Sequence, residues 1–95
     1  MLFEWDERKR RANLAKHGID FDTAKRMFQT QVVEREDERR DYGEKRVVAY
    51  GQVNGVVLCV IYTWRDGVRR IISARRARRD ERKDYYAAIQ RENSP

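Results

Sequence analysis

The fold is decided by residues 46–74, RVVAYGQVNGVVLCVIYTWRDGVRRIISA. Two dipeptides in this stretch, Asn54-Gly55 and Asp66-Gly67, favour the positive φ angles of two-residue hairpin turns. Apolar runs rich in β-branched residues lie before, between and after these turns, which is the composition of strands. The predicted strands are Arg46–Val53, Val56–Trp64 and Val68–Ala74. The stretch therefore predicts a three-stranded antiparallel meander.

The turns also predict which residues lie side by side, because a two-residue turn fixes the register of its strands. The predicted rows on one face are Val48, Ile61 and Ile72, and then Arg46, Thr63 and Arg70. On the other face we expect Tyr62 beside Ile71 and Leu58 beside Arg75. A bulge is most expected at Gly51, since glycine within a strand often marks one.

The flanking sequence predicts further elements around the meander. Val32–Arg35 has the period of a strand, and Leu2–Trp5 alternates over a length that suits a short one. Helices are predicted after Asp6 and Asp20 and around Asp80, because acidic residues cap or stabilise helix N-termini. The prediction is an α+β fold in which helices, including a C-terminal helix, pack on a roughly four-stranded antiparallel sheet. The whole chain is expected to form a single domain.

Positive charge is concentrated in one part of a chain whose formal net charge is +6. Between Arg65 and Lys83 there are nine basic and three acidic residues, so the net charge of this segment alone equals that of the whole chain. Such local charge is typical of proteins whose partner is rich in phosphate or carboxylate. No run reaches the roughly 20 apolar residues of a membrane helix, and one cysteine with one histidine excludes an internal disulfide and the usual zinc sites. We therefore expect a cytoplasmic protein without a metal, a cofactor or a membrane partner.

Several short motifs occur in the order that is found in a known toxin family. The motifs are Phe3-Glu4-Trp5-Asp6, Asn13, Lys16-His17-Gly18-Ile19, Phe21, Ala24, Asp41-Tyr42-Gly43-Glu44, Arg46, Tyr62-Thr63, Arg70-Ile71-Ile72-Ser73-Ala74-Arg75-Arg76-Ala77, Glu81-Arg82 and Tyr85. They span nearly the whole chain, and on them the sequence resembles the BrnT toxins. Two positions depart from the pattern: Arg78 stands where a threonine is expected to cap the last helix, and Trp64 stands where the family is often polar.

The resemblance implies a compact α+β fold like that of the RelE toxins and a ribonuclease activity that arrests translation. It also implies an RNA substrate and neutralisation by a cognate antitoxin of the BrnA kind, encoded beside the toxin. The resemblance further implies that toxin and antitoxin form a larger assembly, which binds operator DNA through the antitoxin.

Metal-independent RNA cleavage requires a base for the 2′-hydroxyl, an acid for the leaving 5′-oxygen and positive charge at the phosphate. Arg65, Arg75 and Arg76 are predicted to bind and stabilise the scissile phosphate, because arginine stays charged at any working pH. The chain has one histidine, and histidine is the residue type that ordinarily titrates near neutral pH, so a mechanism with two histidines is excluded. The candidates for proton transfer or substrate positioning are His17, Lys16 and Tyr85.

Each candidate also has a structural interpretation. His17 stands at a predicted helix end, where it would interact with the helix dipole, and Tyr85 would pack in the core. Arg75 and Arg76 would form surface ion pairs with Glu81 or with the acids of residues 34–41. For the whole protein, the alternative function is a non-catalytic basic module that binds RNA or an acidic protein partner. Salt-sensitive binding that leaves RNA intact would favour the module, and cleavage that persists in a chelator would favour the metal-independent enzyme.

Overall fold

The computed structural model describes residues 2–94 and packs helices against a single sheet. In chain order the elements are β1 (Phe3–Trp5), α1 (Glu7–His17), α2 (Phe21–Arg26), a 3-10 helix (Met27–Gln29), β2 (Val33–Glu36), β3 (Val47–Val53), β4 (Val56–Arg65), β5 (Val68–Arg76) and α3 (Arg79–Asn93). The strands lie in the order β1-β5-β4-β3-β2. The predicted α+β fold with a C-terminal helix is confirmed. The sheet has five strands rather than four, and it is mixed because β1 pairs with β5 in parallel.

The parallel strand β1 and helix α1 together close the outer edge of β5. Phe3–Trp5 pairs with residues 69–71, a pairing that no local turn could indicate in the sequence. Beyond that pairing, the side chain of Asn13 in α1 forms hydrogen bonds with the edge of β5. It accepts a hydrogen bond from the backbone N–H of Ala74 at 3.1 Å and donates one to the carbonyl of Ala74 at 2.7 Å.

Both predicted hairpin turns form with the expected backbone. The φ angles are 50° at Asn54, 80° at Gly55, 53° at Asp66 and 75° at Gly67. These values belong to the left-handed region that two-residue turns require. The first hairpin pairs residue for residue in the predicted register.

The second hairpin keeps the predicted register only near its turn. Tyr62 lies opposite Ile71 as predicted, but the register then shifts by one residue, so Ile61 faces Ser73. Ile72 is the extra residue of this bulge. Ser73 therefore takes the predicted place of Ile72 opposite Ile61, while Ile72 still lines the same recess as Ile61.

The bulge decides which face of the sheet each residue at the end of β5 presents. A shift of one residue exchanges the two faces of a strand. Arg75 consequently lies beside Cys59 and not beside Leu58, which was the predicted neighbour, and Arg76 takes the position next to Leu58.

The sheet has two faces that are covered differently. The first, which we call the α2 face, packs under α2 and the 3-10 helix. Its core residues are Phe21, Ala24, Met27, Phe28, Ala49, Leu58, Val60, Tyr62, Ile71 and Ala74. Gly51 did not form the expected bulge; instead it makes room for the 3-10 helix, since a Cβ there would lie 2.5 Å from Cγ of Met27. The second, the α3 face, is covered by α3 at one end, where Val57, Ala77 and Tyr85 form a small core.

The helix starts agree with the capping predictions. The side chain of Asp6 accepts hydrogen bonds from the first turn of α1, and Asp20 does the same for α2. At the start of α3, Glu81 accepts a hydrogen bond from the backbone N–H of Arg78 at 2.7 Å. This bond caps α3 although threonine is absent from its N-terminus. None of the helices within residues 2–94 combines the length and the apolar character that crossing a membrane requires.

Candidate functional site

Three side chains from three elements meet on the α3 face: Arg75 of β5, Tyr50 of β3 and Glu81 of α3. Arg75 donates two hydrogen bonds to Glu81, from Nη1 to Oε1 at 2.7 Å and from Nη2 to Oε2 at 2.9 Å. The Tyr50 hydroxyl donates to the same Oε2 at 3.0 Å. A bidentate pair of this kind fixes the plane of the guanidinium. We call these three residues the Arg75 cluster.

Glu81 is held as a carboxylate by its partners. Its side chain is only 10% exposed, and the hydrogen bonds from Arg75 lower its pKa to about 2. Oε1 also accepts the capping hydrogen bond from the N–H of Arg78. Glu81 therefore orients Arg75 and caps α3, and it has no proton to donate near neutral pH.

The other polar groups around Glu81 keep their protons near neutral pH. Burial raises the pKa of Tyr50 to about 12, and burial also raises the pKa of the Cys59 thiol, which lies beside Arg75. The hydrogen bonds to Glu81 raise the pKa of Arg75. Within the cluster the charges of Arg75 and Glu81 cancel, but Arg78 brings a second guanidinium to the same carboxylate, with its Nη2 3.3 Å from Oε2 of Glu81. The arginines here therefore outnumber the carboxylate, which suits this place to bind an anion and to stabilise negative charge that develops on one.

Arg75 keeps hydrogen-bond donors for a ligand. Of the five N–H groups of a guanidinium, Glu81 takes two and the carbonyl of Arg76 takes one, at 3.2 Å. The remaining two, on Nε and Nη2, have no hydrogen-bond partner within residues 2–94. The side chain is 25% exposed. A phosphate or carboxylate on the exposed side would accept these two donors.

A basic recess adjoins the cluster on the same face. It has a volume of about 440 Å³, and the residues that line it are Arg39, Arg40, Tyr42, Arg46, Ile61, Ile72 and Ser73. Ser73 precedes Arg75 by two residues in β5, a distance of about 7 Å along a strand. We call this the arginine recess, because the charged residues of its lining are all arginines.

The loop between β2 and β3, which shapes the recess, is organised by a buried carboxylate. Asp37 accepts hydrogen bonds from Nη2 of Arg39 at 2.8 Å and from the Tyr42 hydroxyl at 3.1 Å. These bonds, with that of Arg39 as the strongest influence, hold the pKa of Asp37 far below its usual range. The Tyr42 ring lies between two guanidinium groups, with its centroid 4.0 Å from Cζ of Arg46 and 4.9 Å from Cζ of Arg40. Asp37 and Tyr42 thereby set the arginines of the recess in place.

Two of the six predicted site residues lie at the C-terminal end of β5, and two more lie at the C-terminal end of α1. Arg75 and Arg76 end this strand and point to opposite faces, so only Arg75 belongs to the α3 face. Lys16 and His17 end α1, one turn after Asn13, whose side chain binds the backbone of β5. Lys16 and His17 therefore belong to the helix that borders β5, and within residues 2–94 no hydrogen bond or ion pair joins either of them to Arg75.

Of the other two predicted site residues, Arg65 is not brought to Arg75, whereas Tyr85 lines one pocket with Glu81 and Tyr50 of the cluster. Arg65 ends β4 six residues beyond Cys59, the neighbour of Arg75, which is about 20 Å along the strand. Tyr85 is the buried residue of α3, and its hydroxyl donates to the carbonyl of Gln31 at 3.1 Å. Burial raises the pKa of Tyr85.

The predicted basic row near the second turn has less free charge than expected. Thr63 lies beside Arg70 as predicted. However, Arg70 forms an ion pair with Glu4, and Arg46 forms one with Glu44 at 3.4 Å. Both arginines of the row are therefore paired with local carboxylates, as Arg75 is, and what distinguishes the Arg75 cluster is the bidentate pair that fixes its guanidinium.

Sequence reasoning found one partner of Arg75 and missed the other. Glu81 was expected at the helix dipole or in an ion pair with Arg75 or Arg76, and the pair with Arg75 forms, although as an ordered bidentate contact that also caps α3. Tyr50 offers no signal in the sequence, because its contact with Glu81 joins residues 31 positions apart.

A small mixed sheet with a C-terminal helix and arginines grouped on one face defines a compact, basic α+β domain. Residues 5–81 match the model of a family described as the ribonuclease toxin, BrnT, of type II toxin–antitoxin systems. The chain belongs to this family, as its motifs predicted. A search of curated proteins gave no match. Arg75 and Glu81 lie within the matched residues, whereas Tyr85 lies beyond them.

Proposed function

We propose that this protein cleaves RNA, with the α3 face as the RNA interface and Arg75 at the scissile phosphate. The observation that best supports the proposal is the Arg75 cluster, in which Glu81 and Tyr50 leave two N–H groups of a charged guanidinium unused. An arginine held in this way binds phosphate through two hydrogen bonds and stabilises negative charge as it develops. The description of the family as ribonuclease toxins supports the same conclusion.

The proposed reaction is an attack within the RNA that needs no metal ion. The 2′-oxygen forms a bond to phosphorus while its proton passes to a base, and the bond to the 5′-oxygen breaks as that oxygen receives a proton. The products are a 2′,3′-cyclic phosphate and a free 5′-hydroxyl. His17 and Lys16 are proposed for proton transfer or substrate positioning, and Arg76 for a contact at the rim. For Arg65, a contact with a more distant phosphate is proposed, and Tyr85 is proposed to support the site by packing.

The test is RNA cleavage by purified variants in the presence of a chelator. Arg75→Ala should lower the cleavage rate by about 100-fold or more, which is the usual effect of removing a donor that stabilises transition-state charge. Arg75→Lys should restore little, because lysine lacks the planar fork. Arg26→Ala, an exposed arginine of α2 on the other side of the sheet, is the matched control and should cleave normally.

Two results would contradict parts of this proposal. A folded Arg75→Ala protein that cleaves at the normal rate would remove Arg75 from the site. Cleavage by the unaltered protein that stops in the chelator would show that a metal ion is needed.

One observation favours a second candidate function, a non-catalytic basic module that binds RNA or an acidic protein. No group of the Arg75 cluster exchanges a proton near neutral pH, so the cluster by itself provides anion binding and no acid–base chemistry. RNA that binds in a salt-sensitive manner and stays intact after long incubation would establish the module.

For the inhibitor, we propose a BrnA-like antitoxin encoded beside the toxin, which joins the toxin in a larger assembly on operator DNA. The assignment to type II systems, in which the inhibitor is a protein, supports this partner. Co-purification of the toxin with the product of the adjacent reading frame, followed by binding of the complex to the upstream DNA, would test both parts.

A further inference from the structure

An arginine on the α2 face lies among three aromatic rings. Cζ of Arg69 is 4.5 Å from the ring centroid of Trp64, 4.8 Å from that of Phe28 and 5.2 Å from that of Tyr62. Arg69 and Trp64 are direct neighbours across β5 and β4. The rings also contact one another edge to face, with centroids 5.4 Å apart for Phe28 and Tyr62 and 5.7 Å for Tyr62 and Trp64.

The guanidinium of Arg69 lacks the acceptors that such a group normally has. Its Nε is buried without a hydrogen-bond partner, and it forms no ion pair with a carboxylate of residues 2–94. The nearest acid of the cage, Glu34, accepts instead from the Tyr62 hydroxyl. A buried donor without an acceptor is rare in folded proteins. The buried Nε faces the aromatic rings and is out of reach of another molecule, but the terminal amino groups of this half-buried side chain also have no hydrogen-bond partner within residues 2–94, and they can meet a carboxylate from another molecule.

Apolar surface lies next to this arginine. Trp64 is 52% exposed, and Leu2, whose carbonyl accepts from the N–H of Arg69 at 3.2 Å, is 68% exposed. Tryptophan, tyrosine and arginine are the residue types in which interface energy is concentrated. We call Leu2, Trp64 and Arg69 the Trp64 surface.

We propose that the Trp64 surface is the anchor for the antitoxin. The segment it fits has an apolar side chain to cover Trp64 and an adjacent aspartate or glutamate for Arg69. This inference rests on the proposed function in that it takes the bound protein to be the inhibitor of the toxin.

The charges beside Trp64 favour a protein over RNA. A groove of about 540 Å³ next to Trp64 is lined by three acids, Glu34, Glu36 and Glu44, together with three bases. Carboxylates repel a phosphate backbone, whereas a protein segment with charges of both signs matches this lining. The arginine recess on the α3 face shares Arg46 with this groove but has no acid in its own lining, and it is the better surface for RNA than either this groove or the mixed-charge pocket beside Glu81 and Tyr50.

The experiment measures binding of the purified product of the adjacent antitoxin reading frame, without RNA. Trp64→Ala and Arg69→Gln should each raise Kd at least tenfold, mainly through faster dissociation. Leu14→Ala is the matched control, because Leu14 is an exposed apolar residue of α1, 38% exposed and remote from Trp64, and its change should leave Kd unaltered. Thermal unfolding establishes that each variant is folded. If Arg69→Gln does not fold, Trp64→Ala alone decides the test.

RNA cleavage by the free variants separates this inference from the proposed function. Trp64→Ala should cleave RNA like the unaltered protein, because Trp64 lies on the other face from Arg75. Unchanged antitoxin affinity in folded Trp64→Ala would overturn the anchor. If Trp64→Ala loses RNA binding and keeps its antitoxin affinity, the Trp64 surface binds RNA, and the proposal of an antitoxin anchor is overturned. If the unaltered protein never cleaves RNA but Trp64→Ala still releases the partner, the proposed function fails and the docking surface stands.

Discussion

At the scale of single residues, the behaviour of Arg75 depends on a carboxylate that neutralises it only in part. An exposed ion pair contributes little and leaves both partners free to rotate. The side chain of Glu81 is largely shielded from solvent, accepts along one edge of the guanidinium and is fixed in turn by Tyr50 and by the start of α3. The other edge of the Arg75 guanidinium, which has the unused N–H groups of Nε and Nη2, therefore points in a fixed direction. The pair therefore orients the arginine, which is what a site for a planar anion needs.

Glu81→Gln should lower stability at neutral pH and lose this effect in acid. The pKa of Glu81 is about 2 in the folded protein and 4.5 ordinarily, so the stabilising contribution of its charged form is fully present above about pH 4.5 and is lost as the pH falls towards 2. We expect a loss on the order of 2 kcal/mol at neutral pH. Urea unfolding of both proteins at neutral pH and at about pH 3 measures the difference.

The control for this prediction is Glu38→Gln, because Glu38 is exposed and forms no ion pair within residues 2–94. It should change stability little at either pH. A difference between the unaltered protein and Glu81→Gln that stays constant from neutral to acidic pH would contradict the role given to the charge of Glu81.

At the scale of elements, the structures that depend on a few neighbouring residues could be predicted from the sequence. The pairings between distant residues could not. The Asn54-Gly55 and Asp66-Gly67 turns depend on backbone angles that these residues favour, so the meander could be predicted. The bulge at Ile72 depends instead on packing. Without it, Arg75 would take a position on the α2 face, where Ala74 is now fully buried beside Val60. No local pattern contains that information.

The candidate site was predictable to the same extent. The density of arginines located Arg75, but charge density along the chain does not distinguish the two ends or the two faces of a nine-residue strand. Arg65 and Arg76 were therefore grouped with Arg75, although one lies at the other end of the sheet and the other on the opposite face. The partners Glu81 and Tyr50 come from α3 and β3, and only the tertiary fold joins them.

The contact between β3 and the 3-10 helix gives a prediction at this scale. Gly51→Ala places a Cβ 2.5 Å from Cγ and 3.2 Å from Sδ of Met27, which is fully buried. We expect a loss of about 1–3 kcal/mol from this overpacking. Met27→Ala should cost less in the Gly51→Ala protein than in the unaltered one, because the smaller side chain leaves space for the new methyl group. Unfolding free energies of the four proteins measure this coupling, and purely additive losses would contradict the proposed clash.

At the scale of the whole molecule, the two proposed surfaces lie on opposite faces and near opposite ends of one sheet. The Arg75 cluster lies where β5 ends, whereas Trp64 and Arg69 flank the second turn. An antitoxin anchored at Trp64 does not thereby cover Arg75. It prevents RNA binding only if a further segment extends around the sheet to the α3 face, so a truncated antitoxin that retains the anchor is expected to bind the toxin without protecting RNA.

The net charge of +6 and its distribution lead to a prediction about salt. Binding of a non-cleavable RNA should weaken steeply as salt rises, because each neutralised phosphate adds about 0.7 to the slope of log Kd against log salt for a single strand. Arg75→Ala and Arg40→Ala should each lower that slope by about 0.7. Both arginines lie on the α3 face, and Arg40 forms no ion pair within residues 2–94. Arg26→Ala should leave the slope unchanged, and fluorescence anisotropy over a salt series measures all four proteins. A slope that falls with Arg26→Ala but not with Arg75→Ala would show that RNA lies on the α2 side of the sheet.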